Sequence, residues 1–186
     1  MSPLQHAVNV LKQGGIIAYP TEAVYGFGCD PFNQQAVMRL LQIKHRSVDK
    51  GLIIIAANWQ QVQALAKPLT KSQLDAAFAT WPGPTTWVFP AATTTPNWLT
   101  GKHSSIAIRI TAHPTAKELC QLFAGPIVST SANIEGKNPG RDYQTVYQQF
   151  AGQVDYIIDA AVGNLPNPTM IKDALTGHVI RNSKQP

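Results

Sequence analysis

Apolar residues in this chain come in runs the length of a strand, separated by stretches of helical period, and that rhythm limits what the chain can fold into. Leu4, Ala7, Val8 and Leu11 share one helical face, Gly14-Gly15 stops that helix, and Ile16-Ile17-Ala18-Tyr19 reads as a short buried strand. Pro20-Thr21-Glu22 ends the strand, and the glycines of Tyr25-Gly26-Phe27-Gly28 let the backbone turn or come close to a ligand. Asn33 caps a helix that runs to about His45, with Ala36, Val37, Leu40 and Leu41 on its core face. The spacing then predicts strands over 52–57, 85–89, 105–110 and 126–129 and helices near 60–66, 72–80, 114–123 and 143–150. Three further strands are expected near 155–158, 169–173 and 178–181. Because helices and strands do not alternate strictly, the pattern favours a twisted mixed sheet flanked by helices over a doubly wound parallel one. The fold class is α/β with α+β character.

At 186 residues the chain suits one domain, 1–186, with a single core and no need of staples. No stretch approaches the roughly 20 apolar residues of a membrane helix. The N-terminal residues lack the basic flank and continuous apolar run of a secretory signal, so a cytoplasmic protein is expected. The two cysteines, Cys29 and Cys120, form no CxxC, and the five histidines are scattered, so neither a zinc site nor a disulfide framework is expected and the thiols read as buried. A net charge of +5 fits an anionic partner, nucleotide or nucleic acid. The charge concentrates at Arg39, Lys44, Arg46 and Lys50, interrupted only by Asp49.

Several residues stand out against this background. Lys44 follows Val37, Leu40 and Leu41 at helical spacing, which puts a lysine on the apolar stripe, pointing inward at the end of its helix. Arg46 just beyond it favours a pocket over a solvated helix end. In Ser105-Ile106-Ala107-Ile108-Arg109-Ile110 the isoleucines occupy one face and leave Arg109 on the other with two small neighbours, room for a carboxylate ligand. An arginine on a solvated sheet face fits the same pattern. Trp81-Pro82-Gly83-Pro84-Thr85 is a stiff turn that would hold Thr85 in one geometry. Ser129-Thr130-Ser131-Ala132-Asn133 places hydroxyls and an amide at the end of an apolar strand, where α/β folds bind ligands; an elaborate helix cap is the bland alternative. No GxxxxGK[ST] phosphate loop occurs, and Gly26-Phe27-Gly28 is not followed by the third glycine of a dinucleotide fingerprint, so nucleotide binding would need another scheme.

Six motifs occur here in the order seen in the YrdC/TsaC family. They are Ala18 to Gly26, Lys44-His45-Arg46, Asp49-Lys50-Gly51-Leu52, Trp81 to Thr85, Ala107-Ile108-Arg109 and Ser129 to Asn133. The chain closely resembles that family from about Leu4 to Arg181, in its short form. The resemblance implies a twisted α/β fold with a large basic concavity, in which L-threonine, bicarbonate or CO2, and ATP give threonylcarbamoyl-AMP and pyrophosphate. Partner proteins then place the threonylcarbamoyl group on the adenosine beside the tRNA anticodon, and direct tRNA contact is open. Carried over by position, Lys44 and Arg46 are the catalytic pair. Lys50, Thr85, Ser129, Ser131, Asn133 and Arg141 join them around the nucleotide, and Thr21 and Arg109 face threonine. A Mg²⁺ ion is expected to arrive with ATP, with no dedicated protein ligands. Two positions depart from the family pattern: Ser47 replaces a proline and is expected to loosen the loop, and Glu135 replaces a serine and puts a carboxylate at the presumed nucleotide edge.

Two other readings compete. An RNA-binding module acting in tRNA or ribosome maturation would use the same positive charge, although basic residues interleaved with aromatics are not evident. The related domain of hydrogenase-maturation carbamoyltransferases comes with zinc-finger and acylphosphatase-like segments, for which this chain has no room.

Overall fold

The computed structural model describes residues 1–183; the last three residues of the expected domain lie outside the described residues. Among the described residues, nine strands form one sheet in the order β7-β1-β2-β6-β3-β5-β4-β8-β9. The strands are β1 (Ile17–Pro20), β2 (Tyr25–Gly28), β3 (Ile53–Ala56), β4 (Thr86–Pro90), β5 (Ser105–Ile110), β6 (Ile127–Ser131), β7 (Tyr156–Ile157), β8 (Ile171–Asp173) and β9 (Val179–Arg181). Pairing is mixed: β3 runs parallel to β5, whereas β6 runs antiparallel to both β2 and β3. The helices are α1 (Pro3–Lys12), α2 (Gln34–Lys44), α3 (Lys71–Phe78), α4 (Asn97–Thr100), α5 (Pro114–Phe123) and α6 (Tyr143–Phe150). None of the described helices is long and apolar enough to cross a membrane.

Four local expectations need correction. Gly26 and Gly28 lie within β2, which pairs with β1 across a loop of four residues, Thr21 to Val24. Tyr25 and Phe27 bury one face of that strand, while a Cβ at Gly28 would stand 2.7 Å from the Tyr19 ring. Glycine is there for close packing rather than for a turn. The 60–66 stretch forms two short 3-10 turns, Trp59–Gln61 and Gln63–Leu65, the first capped by Asn58. No element was expected between 89 and 105, yet α4 forms there over Asn97–Thr100, its four residues too few to show a helical period. Finally, β6 continues to Ser131 into the polar signature, because Thr130 and Ser131 still pair with Phe27 and Gly26.

The sheet's two faces have different covers. One packs α2 and α6 against Phe27, Ile54, Ile106 and Ile108. On the other, α1 and α5 cover Ile17, Tyr19, Ile55 and Ile127. Registers place Ile55 beside Ile127 and Ile53 beside Ser129, two residues along on the same face. There the helical cover stops, and Ile53, Ser129, Ser105 and Ala107 line an open concavity. Both cysteines are buried and free, as their apolar settings suggest.

Candidate active site

The concavity holds about 580 Å³. It is lined by Thr21, Gly26, Arg46, Lys50, Ser105, Ala107, Arg109, Ser129, Thr130 and Ser131, with Thr169 from the segment before β8 and Arg181 from β9. The small side chains of β5 and the missing side chain at Gly26 are what leave it open. Polar and cationic groups on its walls come from elements far apart in sequence, so the sheet register assembles the site.

Arg109 is 4% exposed and its isoleucine neighbours are buried on the other face, as the alternation requires. Its guanidinium donates to Thr86 Oγ1 at 3.3 Å and to Thr169 Oγ1 at 3.2 Å and lies 3.4 Å from Glu22 Oε2. The Thr111 hydroxyl donates to Glu22 Oε1 at 2.6 Å. Burial raises the Glu22 carboxyl, but the Arg109 charge and the Thr111 hydrogen bond outweigh it and hold the group below its ordinary range. Arg109 Nε has no hydrogen-bond partner and Glu22 Oε2 has only the ion pair. Thr21, in the loop between β1 and β2, donates its hydroxyl to Val24 O at 2.7 Å and is itself buried.

Lys44, the last residue of α2, is 2% exposed. Its ammonium donates to Ser131 O, to Asn133 O at 2.9 Å and to Asn133 Oδ1 at 3.0 Å. An ammonium has three protons, and this loop takes all of them. The lysine thus lies beneath the Ser131–Asn133 segment and outside the cavity wall, and a phosphate could reach it only by exchange with a loop acceptor. Ser131 Oγ donates to Asn133 Oδ1 at 2.6 Å, and Asn133 Nδ2 donates to Lys137 O at 2.5 Å. Burial pushes the Lys44 ammonium down to about 8, helped by Arg46 and opposed by Glu135.

Arg46 and Lys50 do face the cavity. The chain reverses after α2 because His45 adopts left-handed angles, φ 52 and ψ 42. Ser47 is tied into the loop: at φ −64 its hydroxyl accepts from Asp49 N–H at 3.2 Å and caps the 3-10 turn Val48–Lys50. A cap replaces the restraint of a proline ring. Arg46 donates to Gly51 O at 3.1 Å.

The remaining predicted residues sit elsewhere. Thr85 lies outside the main concavity, its carbonyl accepting from Trp81 Nε1 at 2.7 Å. Arg141 is exposed and donates to Leu165 O and Pro166 O at 2.9 and 2.8 Å, tying down the 163–168 loop. Gly163 abuts Glu22, and a Cβ there would stand 2.5 Å from Glu22 O. Sequence reasoning missed Glu22, Thr169 and Arg181 as site residues. Glu22 was within reach, since it stands beside Thr21 in the Ala18 to Gly26 motif. Arg181 carried no signal on its short strand, yet its guanidinium donates to Thr169 O at 2.8 Å on the cavity wall. Burial and the nearby charges of Arg109 and Arg46 hold its pKa below the usual arginine value. Three arginines that oppose one another electrostatically make a site that favours an anion.

Comparison with known proteins shows the family. Residues 9–183 match the Sua5/YciO/YrdC family, described as telomere recombination. The chain belongs to that family. A threonylcarbamoyl-AMP synthase from Coxiella burnetii is 54% identical over 178 residues, 96% of each chain. Among solved structures, P. abyssi Sua5 complexed with L-threonine superposes with a TM-score of 0.86 at 34% identity, over 91% of this chain and 50% of that one. The chain thus spans about half the length of that protein. The E. coli YciO structure, at 22% identity and a TM-score of 0.86, shares the fold.

Proposed function

We propose that this chain is a threonylcarbamoyl-AMP synthase, an enzyme that converts L-threonine, bicarbonate or CO2, and ATP to threonylcarbamoyl-AMP and pyrophosphate. The observation that carries the reading is one cavity whose walls combine a buried, hydroxyl-flanked arginine with a half-buried arginine, an exposed lysine and a serine- and threonine-rich strand end. The first suits an amino-acid carboxylate, the second phosphates, and about 580 Å³ is within the range of small-molecule sites. High identity to named synthases over almost the full chain does not favour the RNA-binding alternative.

In this reading the threonine carboxylate approaches Arg109 beside Thr21 and Thr169, and the triphosphate lies against Arg46, Lys50 and the Ser129–Ser131 hydroxyls. Ser131 and Asn133 shape the nucleotide's side of the site, and Lys44 holds them through its three hydrogen bonds. Arg141 acts at longer range by fixing the 163–168 loop, and Thr85 acts through the backbone behind Arg109. The threonine amine attacks CO2 and loses a proton. A carbamate oxygen then attacks the α-phosphorus, and pyrophosphate leaves with the electrons of the broken P–O bond. Such chemistry needs alignment and charge neutralisation more than a side-chain base, which fits a site of Arg, Lys, Ser and Thr. Mg²⁺ travels as part of the substrate, held by phosphate oxygens and water. The adenylate passes to tRNA-modifying partner proteins in the cytoplasm.

The test is to incubate the purified protein with ATP, Mg²⁺, bicarbonate and L-threonine and to follow pyrophosphate and adenylate by mass spectrometry. Product that depends on both threonine and bicarbonate is expected. No product, with tight salt-sensitive tRNA binding instead, would make the chain a binding module.

A further inference from the structure

Glu135 stands just past the polar loop and reaches back to the cavity's cations. Its Oε1 lies 2.6 Å from Lys50 Nζ and 3.7 Å from Arg46 Nη1, and both of those residues line the cavity. Its main chain is pinned: the Glu135 N–H donates to Lys44 O at 2.8 Å, and Lys137 N–H donates to Ile134 O at 3.0 Å. Gly136 takes a φ of 81 in that turn, which favours glycine. In the pair the lysine side chain is 52% exposed and the glutamate 34%, so water and dissolved anions compete for it and the bridge is weak. A carboxylate offers one negative charge, whereas a polyphosphate offers several charges and more oxygens for the same two cations.

We propose that Glu135 is the exchangeable counter-ion of the phosphate site. It occupies Lys50 and Arg46 when the cavity is empty, gives them up to a polyphosphate, and returns to them as pyrophosphate leaves. The residue thereby limits how tightly the site holds polyphosphate, which lets product depart. This rests on reading Arg46 and Lys50 as the triphosphate's partners.

Inorganic tripolyphosphate and pyrophosphate serve as probes, titrated calorimetrically at low ionic strength into the parent chain, Glu135→Gln, Glu135→Ser and Glu135→Asp. Both neutral variants should bind the probes about threefold tighter, with the gain shrinking as salt rises. Glu135→Asp should stay close to the parent, and L-threonine affinity should not move. In a Lys50→Met background the gain from Glu135→Gln should fall, because one of the two released cations is gone. Unchanged or weaker polyphosphate binding in the neutral variants overturns the proposal, as does tightening that extends equally to threonine. The probes need no turnover, so the two readings fail separately. Tightening without adenylate formation would sink the synthase reading alone, and adenylate formation without tightening would sink this one alone.

Discussion

Two carboxylates, Glu22 and Glu135, pair with cations of the same cavity, and the pairs differ in what they can do. Arg109 and Glu22 have side chains 5% and 8% exposed, flanked by Thr86, Thr111 and Thr169. Lys50 and Glu135 meet at 2.6 Å at the cavity's exposed cations, half in water. The buried pair costs desolvation that its geometry must offset, so losing one partner strands a charge. The exposed pair is screened and contributes little to stability. One presents a cation whose position is built into the fold, and the other offers cations that can change partners.

The strongest way to break this contrast is Glu22→Gln, which leaves Arg109 without its counter-charge. A loss of about 3 kcal/mol is expected in denaturant unfolding at neutral pH, whereas Lys50→Ala should leave the midpoint nearly unmoved. Equal effects from the two substitutions would mean that burial does not separate the pairs. The pH dependence comes from the lowered Glu22 pKa. Because the folded value lies below the unfolded one, the stability it contributes is present above the ordinary carboxylate range. It is lost as pH falls through the folded value. The parent's acid loss should therefore be steeper than that of Glu22→Gln.

A second test concerns the buried lysine beneath the polar loop. Lys44→Ala removes three hydrogen bonds from beneath the Ser131–Asn133 loop, and threonine-dependent pyrophosphate release should fall about a hundredfold. Activity within a few-fold of the parent would remove Lys44 from the mechanism. The same lysine sets an alkaline limit. Its pKa, lowered by burial to about 8, means that the charged form is lost as pH rises through that value. Pyrophosphate release should decline there, and Lys44→Arg should move the decline to higher pH.

The smallest expected effect is at Arg141, whose two hydrogen bonds hold the 163–168 loop. Arg141→Ala should speed amide exchange across that loop and raise the threonine KM by about threefold, with global stability reduced by no more than about 1 kcal/mol. A change confined to the ATP KM would instead put Arg141 at the nucleotide.

Much of this was legible along the chain, and the reasons for the rest are local. The inward lysine followed from the 37, 40, 41, 44 spacing, and the placement of Arg109 followed from the alternation in β5. Both depend on periods that a single element displays. The strand at Tyr25–Gly28 was hidden because its glycines answer to neighbours on other strands: Gly28 packs against Tyr19 and Ile127, and Gly26 lies close to Thr130 and Ser129. The short helix α4 and the 3-10 turns at 59–65 lack the length for any period to show.

By itself the sequence determined the mixed sheet, the concentration of positive charge, the two faces of β5 and the family to which the motifs belong. These are properties of spacing and side-chain type, which are read one element at a time. Only the tertiary structure decided that Glu22 faces Arg109, that Lys44 donates its hydrogen bonds to the polar loop, and that Arg181 closes the cavity wall from the last strand. It also decided that Glu135 meets Lys50, a residue 85 positions away. Such partnerships depend on strand order and register, and those are set by how the whole sheet buries its apolar faces.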